Sequence, residues 1–388
     1  MKSCDRPSLQ IAVDASSTVG PRTGVGNATA ALLNALPDVL PEKWGITAWV
    51  NSPRHPLPAD PWVRNPRITV ASTRWPGKVL LTSWQHLRKP SIQSLAGSAK
   101  MLHSAAGYPI PAPRIKRLLS VHDLYFLQRP ATEDPWGGGY FHTNYPKRLP
   151  EQDHLICFST ETAQDVQTVY RIPGERITVI PHGVDHARFR PEERPGERVR
   201  VAEWTKGEPY LLTVGTIGKR KNIEALIDAW VDLTHRVPEP PRLVIVGHRT
   251  GGVNLDAIEA QISRCPHPER VAWTGYVSDE DVAALYRHAL AFVFPSIKEG
   301  FGLPVLEAMA CGCPVACSGS GAIGEVAGEA ALTVEVTSQE ALRVALVRIV
   351  GGESLRQKLR GLGITRAAEF TWDRSARSTV EVYRRLLE

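Results

Sequence analysis

The chain has 388 residues, of which 43% are hydrophobic and 22% charged, with a formal net charge of +6. This composition is ordinary for a globular protein, and the length favours two domains with sizeable cores. Its six cysteines suggest no disulfide framework, and Cys311, Cys313 and Cys317 lack the spacing of a zinc site. No apolar run reaches membrane-spanning length, and the opening MKSCDRPSLQIAVDAS lacks the apolar core of a secretion signal, so a cytoplasmic location is expected.

In chain order, Leu9 to Val13 reads as a strand. A loop with Gly20, Gly24 and Gly26 follows, then a helix with Ala30, Leu33 and Leu36 on one face. Gly24, Val25 and Gly26 form a possible anion cradle, a weak signal by itself because glycine before a helix is common. Further strands are predicted at Ile46 to Val50, Ile68 to Val70, Lys100 to His103, Arg117 to Val121, Leu155 to Phe158 and Ile177 to Ile180, as in a parallel α/β sheet.

From Ala71 to Val121 there are Arg74, Lys78, Arg88, Lys89, Lys100, Arg114, Lys116 and Arg117 and no acidic residue. Leu80, Trp84 and Leu87 share a helical face there, with Trp75 just upstream. That pattern suits contact with an anionic membrane, although such a stripe normally packs on its own sheet. Nucleic acid is not expected, because no stacking aromatics alternate with the basic residues in a recognisable module. His122 and Asp123 directly follow a strand, where α/β sheets present ligand contacts. His122 can donate to a sugar hydroxyl or be structural, and Asp123 can make a local turn.

The proline- and charge-rich stretch PHGVDHARFRPEERPGERVR marks the domain boundary, placing 1–195 and 196–372 in separate domains. In the second half, strands are predicted at Tyr210 to Val214, Leu243 to Val246, Val271 to Trp273, Ala291 to Phe294 and Val315 to Ala316. Lys219, Arg220 and Lys221 precede Asn222, a good N-cap for a helix carrying Ile223, Leu226, Ile227 and Trp230. Cations beside a positive helix end are unfavourable unless an anion sits among them, and a diphosphate would resolve the conflict. With those cations facing a departing nucleotide, no metal is needed. Asp279, Glu280 and Asp281 read as the start of a helix.

The most informative stretch is EGFGLPVLE, from Glu299 to Glu307. Glu299, Gly300, Phe301 and Gly302 form a loop, Leu303 and Pro304 open a helix, and Gly312 ends it. Glu307 lies about one turn in, so its carboxylate leans back toward the loop where Glu299 sits. Loop amides and the helix dipole suit a phosphate, while the carboxylates can accept from sugar hydroxyls.

Glu299 and Glu307, with seven residues between them in this setting, resemble the signature of the retaining glycosyltransferase family four, and the likeness runs over nearly the whole chain. The resemblance implies the GT-B fold: α/β, two Rossmann-like domains facing across a cleft, with a closing helix (373–388) crossing back to the first domain. It implies that Arg220 and Lys221 bind the donor diphosphate, Glu299 the hexose and Glu307 the ribose. Gly24 and Gly26 match the glycine loop near the donor phosphates. His122 matches a histidine facing the donor hexose, with Asp123 and His103 on the acceptor side, His103 in no assigned role. Tyr276 and Val277 fall where the nucleotide base is held.

Two departures stand out. Gly321, Ala322 and Gly324 replace the usual polar pair and proline ahead of Glu325, and His182 stands where asparagine is more usual. The GTIGKRKN segment most resembles bacterial mannosyltransferases, implying GDP-mannose as donor, a saccharide or lipid-linked saccharide as acceptor, and no cofactor or metal. A UDP-hexose donor and a non-catalytic GT-B subunit remain alternatives. A dinucleotide oxidoreductase lacks the GxGxxG it would need. Glu299→Ala is expected to cripple transfer and leave the fold intact.

Overall fold

The computed structural model describes residues 9–20, 22–128, 139–216, 218–247 and 255–388. The opening segment, on which the expectation about a leader partly rests, lies outside the described residues. The chain divides into two compact units, Met1–Gly183 with Trp372–Glu388, and Val184–Thr371.

In the first unit the strands are β1 (Leu9–Asp14), β2 (Trp44–Asn51), β3 (Ile68–Thr73), β4 (Met101–Ser104), β5 (Lys116–Val121), β6 (His154–Cys157) and β7 (Ile177–Val179). They form one parallel sheet in the order β3-β2-β1-β4-β5-β6-β7. The helices are α1 (Gly24–Val39), α2 (Gly77–His86), α3 (Ile92–Ala96), α4 (Tyr140–Arg148) and α5 (Thr160–Tyr170). β4 and β6 are buried at every residue, as expected for parallel strands covered on both faces.

The second unit carries β8 (Tyr210–Val214), β9 (Arg242–Val246), β10 (Val271–Gly275), β11 (Ala291–Phe294), β12 (Val315–Ser318) and β13 (Leu332–Val334). Their parallel order is β10-β9-β8-β11-β12-β13. Its helices are α6 (Glu197–Thr205), α7 (Ile223–Thr234), α8 (Leu255–Ser263), α9 (Asp279–His288), α10 (Leu303–Ala310), α11 (Gly321–Ala327), α12 (Gln339–Gly351) and α13 (Glu353–Ala367). Trp230, Leu226 and Ile227 of α7 pack with Leu211 and Leu243 of the sheet and Leu346 and Ile349 of α12 in one apolar cluster. The final helix, α14 (Trp372–Leu387), belongs to the first unit, where its Tyr383 hydroxyl lies 2.7 Å from Nδ1 of His103.

The division falls after Gly183 rather than after residue 195. The stretch from Val184 packs with later parts of the second unit. The Val184 amide donates to Phe370 O (3.2 Å), and Arg287 Nη1 donates to Arg190 O (3.1 Å). The stripe expected on α2 also splits. Leu80 and Trp84 face the core with Trp49, but Leu87 is 70% exposed because the helix ends at His86. Among the described residues no helix is long and apolar enough to cross a membrane. The five described cysteines are free and buried.

Candidate active site

Both sheets reverse direction of growth once, between β1 and β4 and between β8 and β11. Open α/β sheets bind ligands beyond the carboxyl ends of the strands at such a reversal. In the second unit this brings the loop after β8, ending in Arg220 and Lys221, beside the loop after β11, which holds Ser296 and Glu299. The Ile297 amide donates to Arg220 O at 2.8 Å, and Arg220 Nη1 donates to Lys298 O at 3.2 Å.

Glu299 is the hub. Its Oε2 is paired with the Arg220 guanidinium, and its Oε1 lies 2.6 Å from Lys221 Nζ and 2.7 Å from Ser296 Oγ. Lys221 is 6% exposed and its ammonium sits 4.4 Å above the Phe294 ring, a cation–π contact. Its stem runs over Gly215, where φ is +148° and a Cβ would lie 2.9 Å from Lys221 Cε, so this position needs glycine. Burial alone would raise the Glu299 carboxyl. The charges of Lys221 and Arg220 outweigh it and bring it down from 4.5 to about 2. The anion that relieves the cations beside α7 is therefore a side chain of the protein itself. Two cations share one carboxylate, so the trio stays net positive.

Asn222 occupies the N-cap position of α7 but does not cap it. Its φ is 56°, and its Nδ2 instead donates to Val336 O at 2.8 Å. Gly302 is the N-cap of α10, with a proline in the first turn, and the helix offers its first N–H groups to the loop side. Gly300 and Phe301 are buried, Phe301 edge-on to Phe370 at 6.0 Å, and Leu303 is half-buried.

Glu307 has a different set of neighbours. The Tyr286 hydroxyl lies 3.5 Å from its Oε2, with Asp279 and Arg188 as the nearby charges. Burial, aided by Asp279 and opposed by Arg188, lifts its carboxyl from 4.5 to about 8. The two carboxylates of one motif are thus pushed apart, Glu299 ionised and Glu307 protonated at neutral pH, where it can donate as well as accept. Because the folded group holds its proton up to about pH 8 and the unfolded one only to 4.5, it costs stability as pH rises through that window. Glu307→Gln is expected to melt higher than the parent at pH 8 and close to it at pH 4. Equal melting temperatures at both pH values would contradict this protonation.

Asp279, Glu280 and Asp281 fill the first turn of α9, which Ser278 caps by accepting from the Asp281 amide at 3.2 Å. Tyr276 is 60% exposed and Val277 is buried. Gly324 carries a packing constraint: a Cβ there would lie 2.5 Å from Gly319 O.

In the first unit, His122 Nε2 donates to Ala105 O at 2.8 Å, which leaves Nδ1 as the acceptor of the neutral ring. The expected donation to a sugar hydroxyl thus has no spare N–H unless the ring is protonated, and burial lowers its pKa despite the Ala105 bond and Asp123. Phe158 stacks on His182 (3.8 Å) and lies tilted against His122 (4.9 Å), whose ring centre is 6.2 Å from that of His182. Asp123 makes the local turn, accepting from the Tyr125 amide at 3.0 Å.

His103 is enclosed within the first unit. It is 0% exposed, with Nδ1 on Tyr383 and Nε2 2.9 Å from Ser120 Oγ, and burial takes its pKa down to about 3. Gly24 is exposed at the first turn of α1. Gly26 is buried, and a Cβ there would lie 2.3 Å from Ser17 O, so packing alone requires glycine. Sequence reasoning missed Ser296, Gly215, Tyr286 and Arg188. It also missed Asp14 at the carboxyl end of β1, whose burial lifts its pKa to about 6.

Two parallel sheets of this order, each with its helices and with the last helix returned to the first unit, are the parts of the GT-B fold. The family profile described as Glycosyltransferase Family 4 matches residues 23–188, and that described as Glycosyl transferases group 1 matches 197–364. The chain belongs to glycosyltransferase family four.

It is similar to the O-antigen chain mannosyltransferase B of Escherichia coli, 27% identical over 288 residues and 74% of each chain. It is also similar to the serotype-specific mannosyltransferase WbdA of Escherichia coli, 28% identical over 72% of this chain but only 35% of that protein. Among solved structures, sucrose-phosphate synthase from Thermosynechococcus elongatus superposes with a TM-score of 0.77 at 22% identity, covering 97% of this chain and 99% of that one.

Proposed function

We propose that this glycosyltransferase moves a hexose, with mannose from GDP-mannose as the first choice, to a saccharide or lipid-linked saccharide, with retention at the anomeric carbon. The observation that carries this reading is the Arg220, Lys221 and Glu299 trio at the β8/β11 reversal. Glu299 fixes the two cations, and the cations draw charge onto the diphosphate as the anomeric C–O bond breaks. The acceptor hydroxyl then attacks the same face, and its proton passes to the leaving phosphate. The cation pair does the neutralising work of a divalent ion, so no metal is required. Glu307, protonated, serves the ribose. His122 lies on the sugar side as an acceptor through Nδ1. The similarity to mannosyltransferases supports the choice of donor, and peripheral contact of the basic 74–117 region with an anionic membrane belongs to the same reading.

A thermal-shift panel of GDP, UDP, ADP and their sugars tests the donor, since a ligand bound by the native state raises its melting temperature with occupancy. GDP and GDP-mannose are expected to give the largest rise. A larger rise with UDP ligands would transfer the reading to a UDP-hexose. Transfer is expected to persist in excess EDTA, and loss that magnesium restores would refute the metal-free step. Donor binding with neither hydrolysis nor transfer would indicate a binding subunit.

A further inference from the structure

We propose that a pocket of three arginines in the first unit binds the phosphate of an anionic membrane lipid. Arg88 follows α2, Arg117 is the second residue of β5, and Arg148 ends α4. They converge on Glu151: Arg88 Nη2 at 2.5 Å, Arg148 Nη1 at 3.0 Å and Arg117 Nη1 at 3.8 Å. Asp153 adds a second carboxylate, 3.5 Å from Arg117 Nε and 3.9 Å from Lys116 Nζ. Four cations thus face two carboxylates, a balance that an anion would complete. Arg117 Nε is buried and, beyond its 3.5 Å ion pair with Asp153, makes no hydrogen bond among the described residues. Arg88, Arg117, Arg148 and Glu151 line, with Trp84 and Asn144, a polar depression that opens to solvent.

The pocket is separate from the candidate active site. Arg117 stands near the amino end of β5 and His122 just past its carboxyl end, about 17 Å along a strand that rises ~3.3 Å per residue. Ligands of such sheets bind at carboxyl ends, so this amino-end pocket serves another purpose.

What surrounds it points to a membrane. The neighbouring α2 surface exposes Trp75 (45%), Val79 (53%) and Leu87 (70%). Arg74, Lys78 and Lys89 are exposed among them, and no ion pair involves these three among the described residues. No acidic residue occurs between Asp60 and Asp123. Apolar side chains that enter the headgroup region, cations that meet the negative surface and a socket for one phosphate together fit an anionic bilayer.

The assignment rests on the membrane contact proposed above, and the two fail differently. The full chain is sedimented with vesicles of phosphatidylcholine, with and without phosphatidylglycerol. The wild type is expected to bind only the anionic vesicles. The double variant Arg88→Gln/Arg117→Gln is expected to bind at least tenfold more weakly, given about fivefold per arginine near a charged surface. Arg54→Gln/Arg64→Gln, of equal charge and exposed elsewhere, is expected to lose less than about threefold. Equal losses in the two variants would overturn the pocket and leave the membrane contact standing as bulk attraction. A wild type that binds neither vesicle would overturn both. Melting temperatures that rise with inorganic phosphate while vesicles go unbound would replace the lipid by a free phosphate. Should the double variant fail to fold, Arg88→Gln alone decides, since Arg88 is half exposed and its removal buries nothing unpaired.

Discussion

Glu299→Ala is expected to lower kcat/KM for transfer by about 10²-fold or more and, in the same variant, to destabilise the second unit by roughly 3–5 kcal/mol. The first effect follows from the cations: without the carboxylate, Arg220 and Lys221 lose the shared anion that fixes them side by side. The second adds a stability cost to the sequence-based expectation that this variant keeps its fold. Lys221 is 6% exposed, and its ammonium loses the carboxylate 2.6 Å away. Urea unfolding at pH 7 reads the stability term and initial-rate kinetics the transfer term. The pH dependence supplies a sign. Folded Glu299 titrates at about 2 against an ordinary 4.5, so its contribution is complete above 4.5 and disappears as pH falls toward 2. The gap between parent and variant should therefore close through that acid window. Glu299→Gln, which keeps hydrogen bonds but not charge, should fall between the two. An alanine variant with parental stability and near-normal transfer would refute the hub role.

Arg287→Ala is expected to cost a similar roughly 3–5 kcal/mol, with a loss of several degrees in melting temperature. Its side chain is 2% exposed and that of its partner Glu197 is 0% exposed. The guanidinium grips both Glu197 oxygens, Nε reaching Oε2 at 2.8 Å, and its third nitrogen serves Arg188 O and Arg190 O. Alanine leaves a carboxylate in the interior that keeps the Arg194 backbone N–H and His288, 3.7 Å away, but no fixed countercharge among the described residues. Arg287→Lys should recover little, since an ammonium cannot span two oxygens and two carbonyls. The double variant Arg287→Met/Glu197→Leu should recover much of the loss by removing both charges. A single alanine variant that melts with the parent would contradict the pairing. The effect extends to the candidate site, because Arg287 secures the backbone of Arg188, whose side chain neighbours Asp279 and Glu307.

The parallel α/β architecture was legible because its strands are continuous apolar runs between helices of clear period. β13 was not: Leu332–Val334 is too short and too ordinary in composition to stand out, and only pairing with β12 makes it a strand. The positive charges before α7 announced a partner anion, but charge alone does not say which, and Glu299 lies in another loop that only the sheet order brings near. Asn222 has the right residue type for a cap, yet its left-handed backbone turns the side chain away to Val336. Glu307 sits at the expected helical position, although helical spacing fixes direction and not company, so Tyr286 and Asp279 were invisible. His103 matched a family segment, and the structure places it under α14 with its ring nitrogens on Tyr383 and Ser120, company that the segment alone does not announce.

The strand reversal between β8 and β11 has a further consequence for how this enzyme tolerates change. Everything from α7 through α9 is a detour inserted between two adjacent strands, and it returns the chain to the point from which it left. Lengthening or reshaping that outer half of the sheet alters its rim without moving the Lys221 and Glu299 loops apart, because their spacing is set by the hydrogen-bonded neighbours Leu211–Ala291 and Leu212–Phe292. The Arg220, Lys221 and Glu299 trio is thereby insulated from variation in β9 and β10, whereas α9, which brings Tyr286 and Asp279 to Glu307, is the part of the detour that has to be kept.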